Sequence, residues 1–240
     1  MLQAFRQPRW IIATVVVVAL AGVFIRLGFW QLDRLDERRM LNSVGEERIN
    51  SAPVDLGTLT GRGADLETIE YRRVTAIGEF DPSEEVLIRS QVELGQAGFH
   101  VITPLVLDDG SAVLVNRGWV PLSMDTPPVD APPGPGAQRV EGWVHLTENR
   151  ASFGPEDPTG ELDVASRVDI ARIGDQLPYR VAPVYLVATE QGGELPVPVD
   201  PPDFSNQGPH LGYAIQWFGF AVVGLVGLYF LLRRGQVQSR

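Results

Sequence analysis

Two long apolar runs lie near the ends of the chain, at residues 10–25 and 211–232. As a helix, the second would rise about 33 Å at ~1.5 Å per residue, close to the ~30 Å hydrocarbon core of a bilayer. The first reaches a similar length if it continues past Arg26, because an arginine can bury its stem and extend its head to the interface. The pattern predicts transmembrane helices over residues 10–30 and 209–232.

The first run also resembles part of a secretory signal peptide. Arg6 and Arg9 form a basic leader, and residues 19–21 (ALA) resemble a cleavage site. Apolar sequence continues past that site, which favours a retained helix. Helical spacing of apolar residues then persists without proline, so we expect the helix to continue outside the membrane to about residue 50.

Between the two helices the pattern changes to short runs rich in Val, Ile and Leu, which predict β-strands. There are six such runs: residues 71–80, 85–91, 99–107, 112–120, 139–147 and 181–189. Asp109 and Gly110 between the third and fourth runs predict a tight antiparallel hairpin, because Asp-Gly adopts the positive φ angles that such a turn requires.

The pattern therefore predicts an α+β membrane protein with a mainly antiparallel β domain, residues 31–208, between two transmembrane helices. Largely apolar strand faces also allow closure into a barrel. Two proline-rich segments, residues 121–137 and 196–209, cannot form continuous ladders and are predicted to be irregular. A short helix is expected over residues 169–176.

Charge is divided unevenly along the chain. All 30 acidic residues lie from Asp33 to Asp203, whereas arginine is the only charged residue type in the two ends. The positive-inside rule then predicts cytoplasmic termini, residues 1–9 and 233–240, and an extracytoplasmic β domain. This topology suits a bacterial inner membrane. The acidic domain argues against nucleic-acid binding, because phosphate recognition requires a basic surface.

The sequence offers little for catalysis. It contains no Cys, no Gly-x-Ser-x-Gly, no phosphate-binding Gly-Lys-Ser/Thr loop and no His-Glu-x-x-His. The pairs at residues 84–85 and 108–109 are interpreted as solvated carboxylates, so we predict that the protein is not an enzyme. Copper handling is also disfavoured, because Cu(I) prefers sulfur ligands and the chain has only Met40 and Met124 besides its first residue.

Of the three histidines, only His210 has an unusual placement. His100 and His145 fall within predicted strands, where a structural role is favoured. His210 opens the second apolar run, with Tyr213 and Trp217 nearly on the same helical face. Two interpretations remain open: an interfacial histidine beside an aromatic belt, or an axial ligand of haem iron with aromatic rings packed on the macrocycle.

Small residues in the second apolar run predict close helix packing. They are Ala214, Ala221, Gly224 and Gly227. Small side chains let membrane helices approach closely, so this face is expected to receive the first helix or a partner subunit.

Three blocks of the chain resemble, in the same order, the surfeit locus protein 1 family of cytochrome c oxidase assembly factors. The blocks are residues 27–34 (LGFWQLDR), 115–121 (VNRGWVP) and 210–218 (HLGYAIQWF). The resemblance extends over about residues 27–230. It departs from the family pattern at Glu37-Arg38 and in residues 121–137 and 153–164.

The resemblance implies an assembly factor or a stably attached accessory subunit of an aa3-type cytochrome c oxidase, with the bilayer and an oxidase core subunit as partners. It also implies haem a handling with His210 as the ligand. Arg117 is a weaker candidate, for pairing with a haem propionate or with a carboxylate of a partner, and an internal structural arginine is the alternative. The other residues expected in packing or docking are Trp30, Gln31, Arg34, Trp119, Tyr213, Gln216, Trp217, Gly224 and Gly227.

Two alternative functions remain open. In one, the protein is a haem a carrier and transfer is its central act. In the other, it is a membrane-anchored adaptor unrelated to respiration.

Overall fold

The computed structural model describes residues 8–61, 65–93, 95–148, 157–189 and 193–237. The helices are α1 (Pro8–Ile49), α2 (Leu56–Leu59), α3 (Ile170–Gly174) and α4 (His210–Val237). The strands are β1 (Val54–Asp55), β2 (Arg73–Phe80), β3 (Val86–Glu93), β4 (Gln96–Leu107), β5 (Ala112–Pro121), β6 (Gln138–Leu146), β7 (Val164–Ala165) and β8 (Val181–Ala188). Short 3-10 turns cover Leu66–Thr68 and Pro82–Glu84.

The chain divides into two compact units. One contains α4 and α1 up to Val44, and the other, residues 45–202, contains the end of α1 and all the strands named above. Residues 31–44 and 203–208, which the sequence pattern assigns to the β domain, belong with the helices. Both α1 and α4 contain a segment long and apolar enough to cross a membrane. The predicted α+β class, with apolar helices on either side of a β domain, is confirmed.

The helical unit is held by an antiparallel seam between α1 and α4. Its members repeat at alternating intervals of three and four residues, the spacing that keeps one stripe of each helix facing the other. On α1 they are Val17, Ala21, Phe24, Gly28, Gln31 and Leu35, and on α4 they are His210, Ala214, Trp217, Ala221, Gly224 and Leu228. Ala21, Leu35, Ala214, Ala221 and Leu228 are buried.

The contacts across this seam show that the two helices are antiparallel, because later residues of α1 meet earlier residues of α4. Phe24 stacks on Trp217 with ring centroids 5.6 Å apart. One turn further along, a Cβ on Gly28 would lie only 2.5 Å from the ring of Phe218. Glycine therefore makes room for the Phe218 ring against α1 at that point, as small residues do in membrane helix pairs.

Engineered cysteines at the other end of the seam provide a direct test of it. A Cβ at Gly224 would lie 3.9 Å from Cγ1 of Val17, so side chains at these two positions would be in van der Waals contact across the seam. We expect the double variant Val17→Cys, Gly224→Cys to lose both free thiols on mild oxidation in detergent, as measured by alkylation and mass spectrometry. The chain has no native cysteine to interfere.

The matched control is Val18→Cys with Gly224→Cys, because Val18 points away and is exposed. Preferential cross-linking of the control pair would contradict the seam.

The strands form a closed five-stranded barrel in the order β2-β6-β8-β5-β4, and β4 pairs with β2 to complete the circle. Closure satisfies strand edges that would otherwise remain unpaired. Strands β2 to β6 and β8 correspond to the six predicted runs, each within two or three residues of its predicted bounds. The predicted β4–β5 hairpin is antiparallel and turns through Gly110 at φ 76°.

Three apolar clusters pack against the barrel wall, one on its inner face and two on its outer face. The first fills the interior with side chains from all five barrel strands, including Val74, Leu105 and Leu186. The second packs α3 and residues 162–168 against the outer face of β6 and β8. The third places Val129 and Ala131, from the predicted irregular segment, on the face of β3, β4 and β5. The proline-rich segment is therefore a packed cover of the barrel wall.

Candidate functional site

His210 is the first residue of α4, and a hydrogen bond from α1 holds its ring. The distance between Nδ1 of His210 and Oε1 of Gln31 is 2.9 Å, across 179 residues of sequence. Because a glutamine carbonyl oxygen only accepts hydrogen bonds, this contact places a proton on Nδ1. In a neutral imidazole, Nε2 then carries the lone pair. In the part of the chain that the structure describes, no hydrogen bond to Nε2 is present.

The segment that leads into His210 is also fastened to α1. Arg39 donates from Nε to the side-chain carbonyl of Gln207 at 3.0 Å, and Asn42 donates to the backbone carbonyl of Asn206 at 3.0 Å. The Asn206 side chain accepts from the backbone N–H of Gly208 at 2.9 Å. These bonds fix the entry into α4, so the position of His210 is set from both sides.

Gly208 lies against the free edge of the imidazole. A Cβ at this residue would be 3.3 Å from Nε2 and 3.2 Å from Cδ2 of His210. Its φ of 70° lies in the left-handed region, which glycine adopts without penalty. Any larger residue at this position would therefore crowd Nε2. With Nδ1 engaged by Gln31, these residues fit an imidazole ligand for haem iron.

The other predicted residues of the helical unit lie on two kinds of surface. Trp217 and Gly224 belong to the seam, whereas Tyr213 and Gln216 are exposed on α4. A Cβ at Gly227 would meet no atom within 4 Å, so Gly227 does not belong to the seam. Docking by the exposed residues stays a prediction.

An exposed group on α1 lies outside the contact stripe of the seam and consists of Trp30, Arg34 and Glu37. The guanidinium carbon of Arg34 is 5.8 Å from the ring centroid of Trp30, and its Nη1 is 2.6 Å from Glu37. Exposed ion pairs of this kind contribute little to stability. The group is therefore available for contacts with a partner or with lipid headgroups.

Arg117 lies in the other unit, where it forms a buried ion pair with Glu85. Its Nη1 donates to Glu85 Oε2 at 3.1 Å and its Nη2 donates to the carbonyl of Ala131 at 2.5 Å. The two side chains are only 2% and 1% exposed. Burial lowers the pKa of Arg117, although the adjacent Glu85 carboxylate opposes this shift. These contacts match the structural alternative for Arg117, and a role with haem propionate stays an unsupported prediction.

Glu85 itself corrects the interpretation of residues 84–85 as solvated carboxylates. Its two oxygens accept from the Thr103 hydroxyl at 2.8 Å, the Val129 backbone N–H at 2.8 Å and Arg117. The interpretation was wrong because all three donors come from distant parts of the chain. Nearby sequence gave one indication, since Glu85 is immediately followed by an apolar strand. Glu85 therefore joins β3, β4, β5 and the proline-rich cover.

Trp119 is likewise buried in the barrel unit. It forms a backbone bridge with Val197, and its indole packs on Gly98, where a Cβ would be 2.4 Å from Nε1. A packing role agrees with this placement. Within the described residues, no group of three or more His, Asp or Glu side chains could hold a metal ion.

The two barrel histidines make internal contacts. His100 meets Asn116 through Nδ1 at 3.2 Å, and His145 stacks on Tyr185 with centroids 5.3 Å apart. Burial lowers the pKa of each to about 4. In the unfolded chain a histidine has a pKa of about 6.5. The folded state therefore binds fewer protons between these values, and stability falls as pH drops from about 6.5 to about 4.

Replacing His145 by phenylalanine should remove part of this acid sensitivity. The ring stack is kept, but no proton can bind in the unfolded state either. We expect the loss of unfolding free energy between pH 7 and pH 4 to shrink by about 2–3 kcal/mol. Urea unfolding of the full chain in detergent at both pH values measures it. An unchanged loss would show that His145 does not titrate in this way.

Comparison with known proteins identifies a family whose match includes residues of both units of the chain. A family model described as the SURF1 family matches residues 18–222. A SURF1-like protein of Mycobacterium bovis is 32% identical over 234 residues, which cover 92% of this chain and 83% of that protein. Surfeit locus protein 1 of Xenopus tropicalis is 28% identical over 236 residues, which cover 88% and 71% of the two chains.

Proposed function

Because the chain belongs to the SURF1 family, which is associated with cytochrome oxidase assembly, we propose that it serves an aa3-type cytochrome c oxidase as an assembly factor or attached accessory subunit. The observation that carries the proposal is the extent of the family match. It spans the barrel, most of α1 and the first part of α4, up to residue 222. The proposed site of action is a bacterial inner membrane.

Charge supports an orientation with both termini in the cytoplasm and the barrel outside. Arg233 and Arg234 follow the apolar part of α4, and Arg6 and Arg9 precede that of α1. Basic residues are retained preferentially on the cytoplasmic side. The acidic residues then face the extracytoplasmic space, where they would repel acidic surfaces and favour basic partner surfaces.

The helices provide the proposed docking surface within the membrane. The seam occupies one stripe of each helix, and the opposite faces are exposed, including Val18, Val222 and Val223. Gln216 adds an exposed amide to α4. An amide in hydrocarbon gains from a hydrogen bond to a neighbouring helix. An oxidase core subunit, which is embedded in the same bilayer, is the proposed partner.

The geometry at His210 supports a second function, the carrying of haem a. The favouring observation is that Gln31 occupies Nδ1, while the residue beside Nε2, Gly208, carries no side chain that would crowd it. Haem a would supply the redox-active iron of the oxidase, and the protein would hold it through His210. Such a carrier is compatible with docking, since transfer requires contact with the recipient.

Deletion of the gene in the native host tests the first function. We expect the reduced-minus-oxidised absorbance of haem a in membranes to fall, while b-type haem remains as an internal control. Reintroduction of the wild-type chain should restore it. Normal haem a content and normal amounts of oxidase subunits in the deletion strain would contradict the proposal.

A further inference from the structure

We propose that Gln31 is a positioning residue, which fixes the proton of His210 on Nδ1 and so makes Nε2 the ligating nitrogen, and that Gly208 keeps this nitrogen accessible. The proposal rests on the proposed haem function. It concerns two residues of the chain that would not themselves touch the iron.

The hydrogen bond determines which ring nitrogen is available. A neutral imidazole carries its proton on one nitrogen and a lone pair on the other. With Oε1 of Gln31 2.9 Å from Nδ1, the proton is held on Nδ1. Histidines that bind metals typically donate their second N–H to a carbonyl or carboxylate in this manner, which fixes both tautomer and ring orientation.

The position of Gln31 on the seam makes this contact rigid. Gly28 lies one turn earlier on α1 in close approach to Phe218, and Leu35 lies one turn later and is buried. Movement of Gln31 away from His210 would separate these contacts. The imidazole is therefore oriented before any ligand binds, which reduces the ordering required on binding.

Gly208 contributes because it has no side chain beside the imidazole of His210. A methyl group there would lie 3.3 Å from Nε2 and would crowd the nitrogen that binds the metal in this proposal. Alanine at φ 70° is also strained, because its Cβ disfavours the left-handed region. A comparable glycine without a nearby histidine is Gly136, where φ is 73° and an added Cβ would meet no atom within 4 Å. Gly136→Ala therefore reproduces the strain without crowding the imidazole.

The first measurement uses the full-length protein without haem. Nitrogen-15 chemical shifts of labelled histidine in detergent report which ring nitrogen bears the proton. We expect the Nδ1–H tautomer at His210 in the wild type and in Gln31→Glu, whose carboxylate can also accept. Gln31→Leu should show a large Nε2–H population. An Nε2–H tautomer in the wild type would overturn the proposal.

The second measurement is titration of the same proteins with haem, followed by absorbance. Gln31→Leu should bind about 10- to 100-fold more weakly, with binding recovered in Gln31→Glu. Gly208→Ala should also bind more weakly but keep the Nδ1–H tautomer, whereas Gly136→Ala should match the wild type. Equal affinity in Gln31→Leu and the wild type would overturn the positioning role.

The two measurements separate this inference from the proposed function. If the wild type binds no haem, the carrier function fails, and the tautomer result still decides whether Gln31 sets the proton. If haem binds normally to every variant, the carrier function stands and the inference fails.

Discussion

Replacing Glu85 by alanine is expected to lower the free energy of unfolding of the barrel by about 3–5 kcal/mol, because a buried arginine would lose its charge partner. The side chain of Arg117 is only 2% exposed, so solvent cannot compensate the lost carboxylate. The substitution also removes the acceptors for Thr103 and for the backbone of Val129. Since Val129 lies in the proline-rich cover, that segment should loosen from the β3–β5 face.

Tryptophan fluorescence during urea unfolding in detergent measures this effect, since Trp119 and Trp143 are buried in the barrel unit. The matched control is Glu141→Ala, which removes the partner of Arg73 from an ion pair whose side chains are each 35% exposed. We expect the control to cost less than about 1 kcal/mol. Equal effects of the two substitutions would refute the anchoring role of Glu85.

Replacing His210 by alanine is expected to abolish the haem absorbance of the purified protein, if the wild type retains haem a as proposed. Alanine provides no lone pair to the iron, and Gln31 cannot replace the imidazole because its carbonyl is a weak ligand for haem iron. The visible spectrum and the haem content per chain are the measurements. His145→Phe is the matched control, since it removes a histidine whose contacts lie inside the barrel unit.

Retention of the full spectrum in His210→Ala would rule out His210 as the haem ligand, and with it a carrier function that depends on this residue. Oxidase docking would remain, because the exposed helix faces do not depend on the imidazole.

The strands can be predicted from the sequence because each is a local pattern. Runs of Val, Ile and Leu end at turn residues such as Gly110, so their bounds require no knowledge of partners. These local patterns allow the sheet to close into a barrel, but they do not specify closure. It depends on pairing between β2 and β4 at Gly78 and Leu107, and a strand pattern does not specify its neighbour.

The side-chain contacts of the seam also cannot be predicted fully from the sequence. Alternating intervals of three and four are visible in the sequence from Val17 to Leu35, yet the long run of similar apolar residues conceals which stripe is the contact face. His210 is recognisable by its position at the end of an apolar run. Its bond to Gln31 is not predictable in this way, since the two residues are 179 positions apart.

The sequence pattern misplaces Glu85 for a related reason. Its neighbour Glu84 and the preceding residues resemble a solvated turn, which does form as Pro82–Glu84. Burial of the next carboxylate requires Thr103, Arg117 and Val129 to converge on it. Such convergence is a property of the tertiary structure.

Affinity purification of the tagged full-length chain from native membranes in mild detergent decides whether the protein is attached to a cytochrome c oxidase. We expect oxidase core subunits to co-purify in a reproducible ratio, with the haem a absorbance of the oxidase, while an unrelated tagged two-span protein recovers neither. Recovery of an intact, folded chain with no oxidase subunit and no haem a would contradict it.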